Sequence, residues 1–433
     1  MSATTMLYFY DDARARTFEP FASTRPMSEM LAGAALIRDR WQSVFKQHQS
    51  ELLVGPGLRH FDEPGGSRAA SGRLGAGSVV VNSRCVPILL APETVDPARA
   101  DVWMCEGKIA AVRLGAEVDC AQFSDGSLTL DHLAEHATSG ADIPGWWLAE
   151  VWDFVRLLPS MLTDDLSRVA AHASAAADLP RIAPPDHAVI MGEHAVMILG
   201  AAEDAKLPGA IVEPHVVFDA SAGPILVSHG AHVHAFTRIN GPCYIGPNTQ
   251  VMGGDISSCS IGETCKVRGE LSNTIILGHS NKGHDGFVGH SYLGRWVNLG
   301  ASTVTSNLKN TYGSVALWTP SGVRDSGMQF LGTMFGDHAK TGIGTRLTTG
   351  TVLGAGANVY GSTMPPKVVA PFSWGEAPNY VTYELAKFLE TVQRMMSRRH
   401  IELSDDARAH FTAVHAGRWT ADVAVGRKGP TAR

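Results

Sequence analysis

The chain has 433 residues, 44% of them hydrophobic and 18% charged, a length that predicts two or three cores at roughly 150 residues per domain. Lys+Arg 36 against Asp+Glu 42 leaves a net charge of −6, which removes the electrostatic motive for nucleic-acid or membrane-surface binding. With no run of 18 apolar residues and no basic-then-apolar start, neither a membrane span nor a secretory leader is expected.

Met6-Leu7-Tyr8-Phe9-Tyr10, closed by Asp11-Asp12, predicts a buried first strand. Between Met27 and Phe45, the residues Met30, Leu31, Ala34, Ile37, Trp41 and Phe45 recur at three- and four-residue steps, which predicts one amphipathic helix. Leu52-Leu53-Val54 and Ser78-Val79-Val80-Val81 are apolar runs of strand length. The glycines from Gly65 to Gly77 between them predict a flexible connection, because no Gly-Lys-Ser/Thr follows to make a phosphate cradle. Strands interleaved with helices predict an α/β domain over residues 1–169. Ala149 to Leu166, with Trp152, Val155, Leu158 and Leu162, reads as its closing helix, and the Ala/Pro-rich residues 170–186 as a linker.

From 187 to 370 the period becomes six. Ile211 and Val217 stand six apart, as do Ile245 and Val251, Ile261 and Val267, and Leu293 and Leu299; Leu347, Leu353 and Val359 repeat the step twice. Glycine often follows the aliphatic residue, as in Ile245-Gly246, Ile261-Gly262 and Leu353-Gly354. Neither a helix nor a simple strand explains six. A prism of short strands does, with three six-residue faces to a coil, one aliphatic side chain inward per face and small residues at the corners. Residues 371–433 then supply a C-terminal helix, with Leu385, Phe388, Leu389, Val392 and Met396 on one face and Glu384, Lys387, Glu390 and Arg394 on the other, followed by a mobile basic tail. The six cysteines are scattered with no C-x-x-C pair and read as reduced thiols of a cytoplasmic protein.

One stretch breaks the repeat. From Leu277 to Asn310, three histidines (His279, His284, His290), Lys282 and several amides occupy positions where a structural coil would want small and aliphatic residues. Solenoid loops decorated in this way bind ligands. The run His284 … Leu293-Gly294 … Val297-Asn298-Leu299-Gly300-Ala301 … Thr303 … Asn307 resembles the acetyltransferase half of the GlmU family, the bifunctional glucosamine-1-phosphate N-acetyltransferases and N-acetylglucosamine-1-phosphate uridyltransferases.

That resemblance implies a left-handed parallel β-helix, acetyl-CoA as co-substrate, an amino-sugar phosphate as acceptor, and a homotrimer with sites at subunit boundaries. It places His284 on the catalytic base, Asn298 on a sugar-contacting asparagine and Ala301 on the amide facing the acetyl carbonyl. Asn307 falls on the asparagine that positions amine and thioester, and Glu270 on a glutamate assisting the base. Lys282 and Arg295 read either as partners of the sugar phosphate or as surface charges. Phe287 stands where the family has a tyrosine, so one hydrogen bond is lost. The chemistry is consistent, since acyl transfer from a thioester to an amine needs a base with a pKa near neutrality, which histidine at about 6.5 supplies.

The first domain is similar to the family's Rossmann-like nucleotidyltransferase domain in order and size, with altered motifs. Asp11-Asp12-Ala13-Arg14-Ala15-Arg16-Thr17-Phe18 replaces the glycine-rich nucleotide loop, and Thr24-Arg25-Pro26-Met27 replaces the lysine signature. Asn82-Ser83-Arg84 stands where a metal aspartate is usual, and neither Asn82 nor Arg84 is a good Mg²⁺ ligand. Arg14, Arg16, Arg25 and Asn82 are the nucleotide-binding candidates, for UTP or another NTP with Mg²⁺, although the arginines also read as solvated surface residues. The chain is accordingly identified as a divergent GlmU-like sugar nucleotidyltransferase that feeds nucleotide-sugar supply. Two other readings stay open. One is a zinc lyase of the γ-carbonic-anhydrase type, in which His279 and His284 carry the H-x4-H spacing and His234 is a distant third ligand. The other is a first domain that only binds a nucleotide sugar and regulates the second.

Overall fold

A computed structural model describes residues 6–89, 100–177, 179–201 and 207–420. By contact the chain divides into two compact units, one comprising the stretch up to Val151 together with Leu389–Gly417, the other built on Trp152–Phe388. This differs from the expected boundaries. The segment expected to close the first domain forms two helices, Asp153–Arg156 and Leu158–Ala177, that belong to the second unit. There Phe154 meets Tyr292 edge-on at 5.3 Å, and Asn273 Nδ2 donates to the Val155 carbonyl at 3.3 Å. The expected linker is helical as far as Ala177, because its alanines are the strongest helix formers. Two helices, Leu385–Ser397 and Asp405–Gly417, stand where one was expected, and residues 421–433 of the tail lie outside the described residues.

In the first unit, strand Leu7–Tyr10 lies parallel to Ser50–Leu53 on one side and to Val79–Asn82 on the other. Arg68–Ala69 extends one edge; Lys108–Arg113 and Val102–Cys105, both antiparallel to their inner neighbours, and then Gly140–Asp142 extend the other. Strand order therefore reverses at Leu7–Tyr10, and the carboxyl ends of Leu7–Tyr10 and Val79–Asn82 flank a crevice, the position at which α/β sheets bind ligands. The helix expected over Met27–Phe45 begins only at Ile37. Ahead of it, Met27–Glu29 form a 3-10 turn, and Leu31–Ala32 pair with Ala35–Leu36 across Gly33, whose φ of +60° suits a tight hairpin. The glycine-rich stretch expected to be flexible contains the short strands Arg68–Ala69 and Arg73–Leu74.

The second unit is the prism, a parallel β-helix. Its first face carries Cys243–Ile245, Ser260–Glu263, Ile275–Gly278, Tyr292–Arg295, Thr333–Phe335 and Thr351–Leu353, paired parallel in that order. Its second face aligns Gln250, Lys266, Asn281, Asn298, Lys340 and Asn358, one per coil. Its third stacks Gly254–Ser257, Gly269–Ser272 and Phe287–Gly289. Ile245, Val251, Ile261, Val267, Leu293, Leu299, Leu347, Leu353 and Val359 are buried together in the interior. The first coil departs from the expected phase, for Ile211 is 56% exposed, Val217 is half-buried, and Val216 and Phe218 point inward instead. Alternate strand residues face opposite sides, so a one-residue slip exchanges core for solvent.

Small residues turn only some corners. Between the first and second faces, Asn248, Thr264, His279, Trp296 and His338 recur in the left-handed region, with φ from 54° to 61°. Two of the rings stack on Trp296, His279 at 4.5 Å and His338 at 6.4 Å, forming an aromatic column along that edge. All six cysteines are free thiols. Among the described residues no helix is long and apolar enough to cross a membrane.

Candidate functional site

The crevice of the first unit is a cavity of about 420 Å³ lined by Tyr10, Asp12, Arg14, Asn82, Arg84, Lys108, Asp131 and Trp147, among others. Its floor is a closed ionic network. Arg84 Nε donates to both Asp12 oxygens at 3.0 and 3.1 Å and its Nη2 to Oδ2 at 2.6 Å, while Asn82 Nδ2 and the Ala15 N–H add bonds at 2.9 and 2.8 Å. Burial alone would push the Asp12 carboxyl up, but the Arg84 hydrogen bonds and charge outweigh it and hold Asp12 below the usual range. The ring of Trp147 lies under two cations, Arg84 at 5.0 Å and Lys108 at 5.2 Å.

Of the four nucleotide-binding candidates, only Arg14 and Asn82 line this cavity. Arg14 is already ion-paired with Glu150. Arg16 is consumed by the carbonyls of Asp11, Phe123 and Ser124. Arg25 is 1% exposed, paired twice with Glu63 and placed over the Phe61 ring at 5.6 Å. Arg16 and Arg25 are thus structural, because desolvated guanidiniums are retained where carboxylates or carbonyls satisfy their donors.

A Mg²⁺ ion does not fit the crevice. It is held best by converging carboxylates, whereas Asp12 is neutralised by Arg84, which leaves Asp131 as the one other carboxylate lining the crevice among the described residues. Asp11 is fully buried, and burial raises its carboxyl to about 6. Sequence inspection picked out Arg84 as a poor metal ligand but not as the partner of Asp12, and it missed Lys108 and Trp147, which come from strands distant in the chain.

On the prism, the candidates distribute over three edges. His284 is exposed on the turn Gly283–Gly286 between the second and third faces, and its ring makes no hydrogen bond among the described residues. The turn itself is pinned. The Lys282 side chain is buried, with its Nζ donating to the Arg268 carbonyl at 2.9 Å and to the His284 carbonyl, and Ser302 N–H donates to Asp285 O at 3.1 Å. Burial lowers the Lys282 ammonium to about 8, against the pull of Asp285. Lys282 therefore shapes the loop, since its donors are committed to carbonyls.

Ala301 sits beside Ser302 on the same edge, one coil on, and Asn298 lies on the adjoining face, accepting from Asn281 Nδ2 at 2.9 Å. Glu270 is exposed at the start of the third face, in register with Phe287. Asn307 lies at the far end of that face, across the strand Phe287–Gly289, about 10 Å long. Its Nδ2 donates to His290 Nδ1 at 2.9 Å. His290 stacks on Phe330 at 5.3 Å, and burial depresses its pKa to about 4. His290 was visible in the sequence as one of three histidines, but nothing local announced its pairing with Asn307.

Arg295 belongs to the remaining edge, where its Nη1 donates to Glu263 Oε1 at 2.9 Å and to His279 Nδ1 at 3.0 Å. His279 and His284 are thus on different edges of the same coil and do not converge within one chain. His279 is instead held by Arg295 and Trp296.

Residues 7–174 match a family model described as sugar nucleotidyl transferase. Similar curated proteins include the bifunctional protein GlmU of Acaryochloris marina, 31% identical over 135 residues that cover 30% of this chain and 25% of that protein. The bifunctional protein GlmU of Methanococcus vannielii is 30% identical over 26% of this chain and 25% of its own. A bifunctional sugar-1-phosphate nucleotidylyltransferase/acetyltransferase of Sulfurisphaera tokodaii is 32% identical over 21% and 23%. The chain spans about a quarter of the length of these relatives. A solved Arabidopsis UDP-N-acetylglucosamine acyltransferase aligns over 50% of this chain and 78% of its own at 11% identity, with a TM-score of 0.23 that carries no argument. Residues 7–174 are therefore similar to sugar nucleotidyl transferases, and parts of the chain are similar to GlmU proteins.

Proposed function

We propose that the prism is an acyltransferase that moves the acetyl group of acetyl-CoA onto the amine of a sugar phosphate such as glucosamine-1-phosphate. His284 accepts the proton as the amine attacks the thioester carbonyl. The tetrahedral intermediate then collapses, the C–S bond breaks, and the CoA thiolate leaves. The Ala301 N–H, on the same edge, is the donor assigned to the oxyanion, a contribution worth roughly 3–4 kcal/mol when well aimed.

The observation that carries this reading is the pinned turn, in which Lys282 and the Ser302–Asp285 bond fix the backbone while His284 stays exposed and without a partner. An unoriented imidazole is an incomplete base. A second copy of the chain, packed against the prism, is the source of the missing partner, and Asn307 and Arg295 lie on the edges that a trimer would present to its neighbours. Thiol release from acetyl-CoA with glucosamine-1-phosphate tests the proposal. His284→Ala is expected to cut turnover by about 10²–10⁴, and unchanged turnover would remove His284 from the mechanism.

For the first domain, the Asp12–Arg84 pair favours binding over turnover. The crevice takes a nucleotide sugar or sugar phosphate on Arg14, Lys108 and the Trp147 ring and regulates the prism. Pyrophosphate release from UTP and N-acetylglucosamine-1-phosphate with Mg²⁺ is expected to stay at background, and release above it would restore nucleotidyl transfer.

A further inference from the structure

Among the described residues, one group of three metal-capable side chains stands together, and the acyl-transfer reading does not use it: Glu213, His232 and His234. The fold builds it from two neighbouring coils. His232 begins the strand His232–Val233 and His234 follows it, so their side chains project to one side, as alternate residues of a strand do. Ile211–Val212 pairs in parallel with that strand, and the Glu213 N–H donates to Val233 O at 2.9 Å, which sets the carboxylate beside both rings. Glu213 Oε1 lies 2.8 Å from His232 Nε2 and 3.1 Å from His234 Nδ1, and the three donor atoms are all within 4.8 Å of one another. The second carboxylate oxygen is oriented by the Ala235 N–H at 2.9 Å, the kind of outer bond that fixes ligating groups.

Hydrogen bonding alone accounts poorly for this arrangement. The imidazoles stack at 3.9 Å and compete for one oxygen, and His234 Nε2 is buried with no hydrogen-bond partner among the described residues. The protein thus leaves one His234 nitrogen unbonded while the other, Nδ1, faces the Glu213 carboxylate that His232 already engages. We infer that Glu213, His232 and His234 bind one divalent transition-metal ion of the zinc class. Two imidazoles and a carboxylate suit that class, and three protein ligands leave a fourth position open. Bonds of about 2.0–2.1 Å in tetrahedral geometry separate ligand atoms by roughly 3.3 Å, so the carboxylate and rings need only spread slightly and one ring turn. The ion would join the Glu213 turn to the next coil.

The site is independent of the acyl-transfer reading, since His284 lies three coils further along the same edge. Co²⁺ added to the full-length, chelator-stripped protein is the test. One equivalent is expected to give the visible absorption of four-coordinate cobalt and to raise the melting temperature, and Zn²⁺ is expected to displace the band. His232→Ala and Glu213→Gln should each weaken binding by at least about 100-fold, with circular dichroism and melting in chelator unchanged from the parent. Should either variant fail to fold, His234→Gln replaces it. His284→Ala should bind as the parent does. The inference is overturned by a parent protein with no band and no melting shift, by a band that survives in the ligand variants, or by one lost in His284→Ala.

Discussion

His284 and His290 share one coil and meet opposite environments. The first sits on an exposed turn, while the second is packed on Phe330 and accepts from Asn307. Because burial lowers His290 to about 4, below its ordinary value near 6.5, the unfolded chain takes up this proton first as pH falls. The stability tied to neutral His290 is therefore complete above pH 6.5 and lost progressively towards pH 4. Denaturation midpoints measured across that window should fall more steeply for the parent than for His290→Gln, and parallel profiles would show that the ring titrates normally. The residue types at this site were legible in the sequence, because three histidines, a lysine and amides interrupt an aliphatic repeat. Their partners were not. Lys282 read either as a phosphate ligand or as a surface charge, yet its ammonium is buried and spent on the Arg268 and His284 carbonyls.

At the scale of the coil, the six-residue step carries nearly all the information, since one aliphatic side chain per face must fill the interior. Leu293, fully buried, and Ile211, 56% exposed, occupy formally equivalent positions in that step. Leu293→Ala should destabilise the protein by about 2–5 kcal/mol through lost burial and a residual cavity, while Ile211→Ala stays within about 0.5 kcal/mol. Equal costs in denaturant titrations would mean that the first coil follows the same phase after all. The repeat misleads there because the strand Ile211–Val212 pairs on one side only, with His232–Val233, so no coil beneath enforces the inward position. The Met27–Phe45 segment fails for a related reason. Its apolar spacing suits a helix, but the hairpin across Gly33 interrupts it and only Ile37–Phe45 is helical.

For the whole molecule, the arrangement of edges makes a strong demand. His284, Asn307 and Arg295 lie on three different edges of the prism, so a site that uses them all needs more than one chain. Light scattering of the full-length protein should give three times the monomer mass of 46.1 kDa. Mixing inactive His284→Ala with inactive Asn307→Ala subunits should then recover part of the acetyl transfer. A monomer with full activity would end the shared-site proposal. The first unit imposes the opposite lesson, because its cavity is complete within one chain and already carries its own counter-ions.

By itself the sequence determined that an α/β domain is followed by a six-residue prism, because periodicity and composition are local properties of a chain. Only the tertiary structure decided which charges are available. Arg25 pairs with Glu63, Arg84 with Asp12 and Arg295 with Glu263, partners that sequence spacing does not reveal. It also drew Glu213 to His232 and His234 across a coil. Such pairings are set by which strands become neighbours, and a burial cost that only folding imposes selects the partner that satisfies each charge.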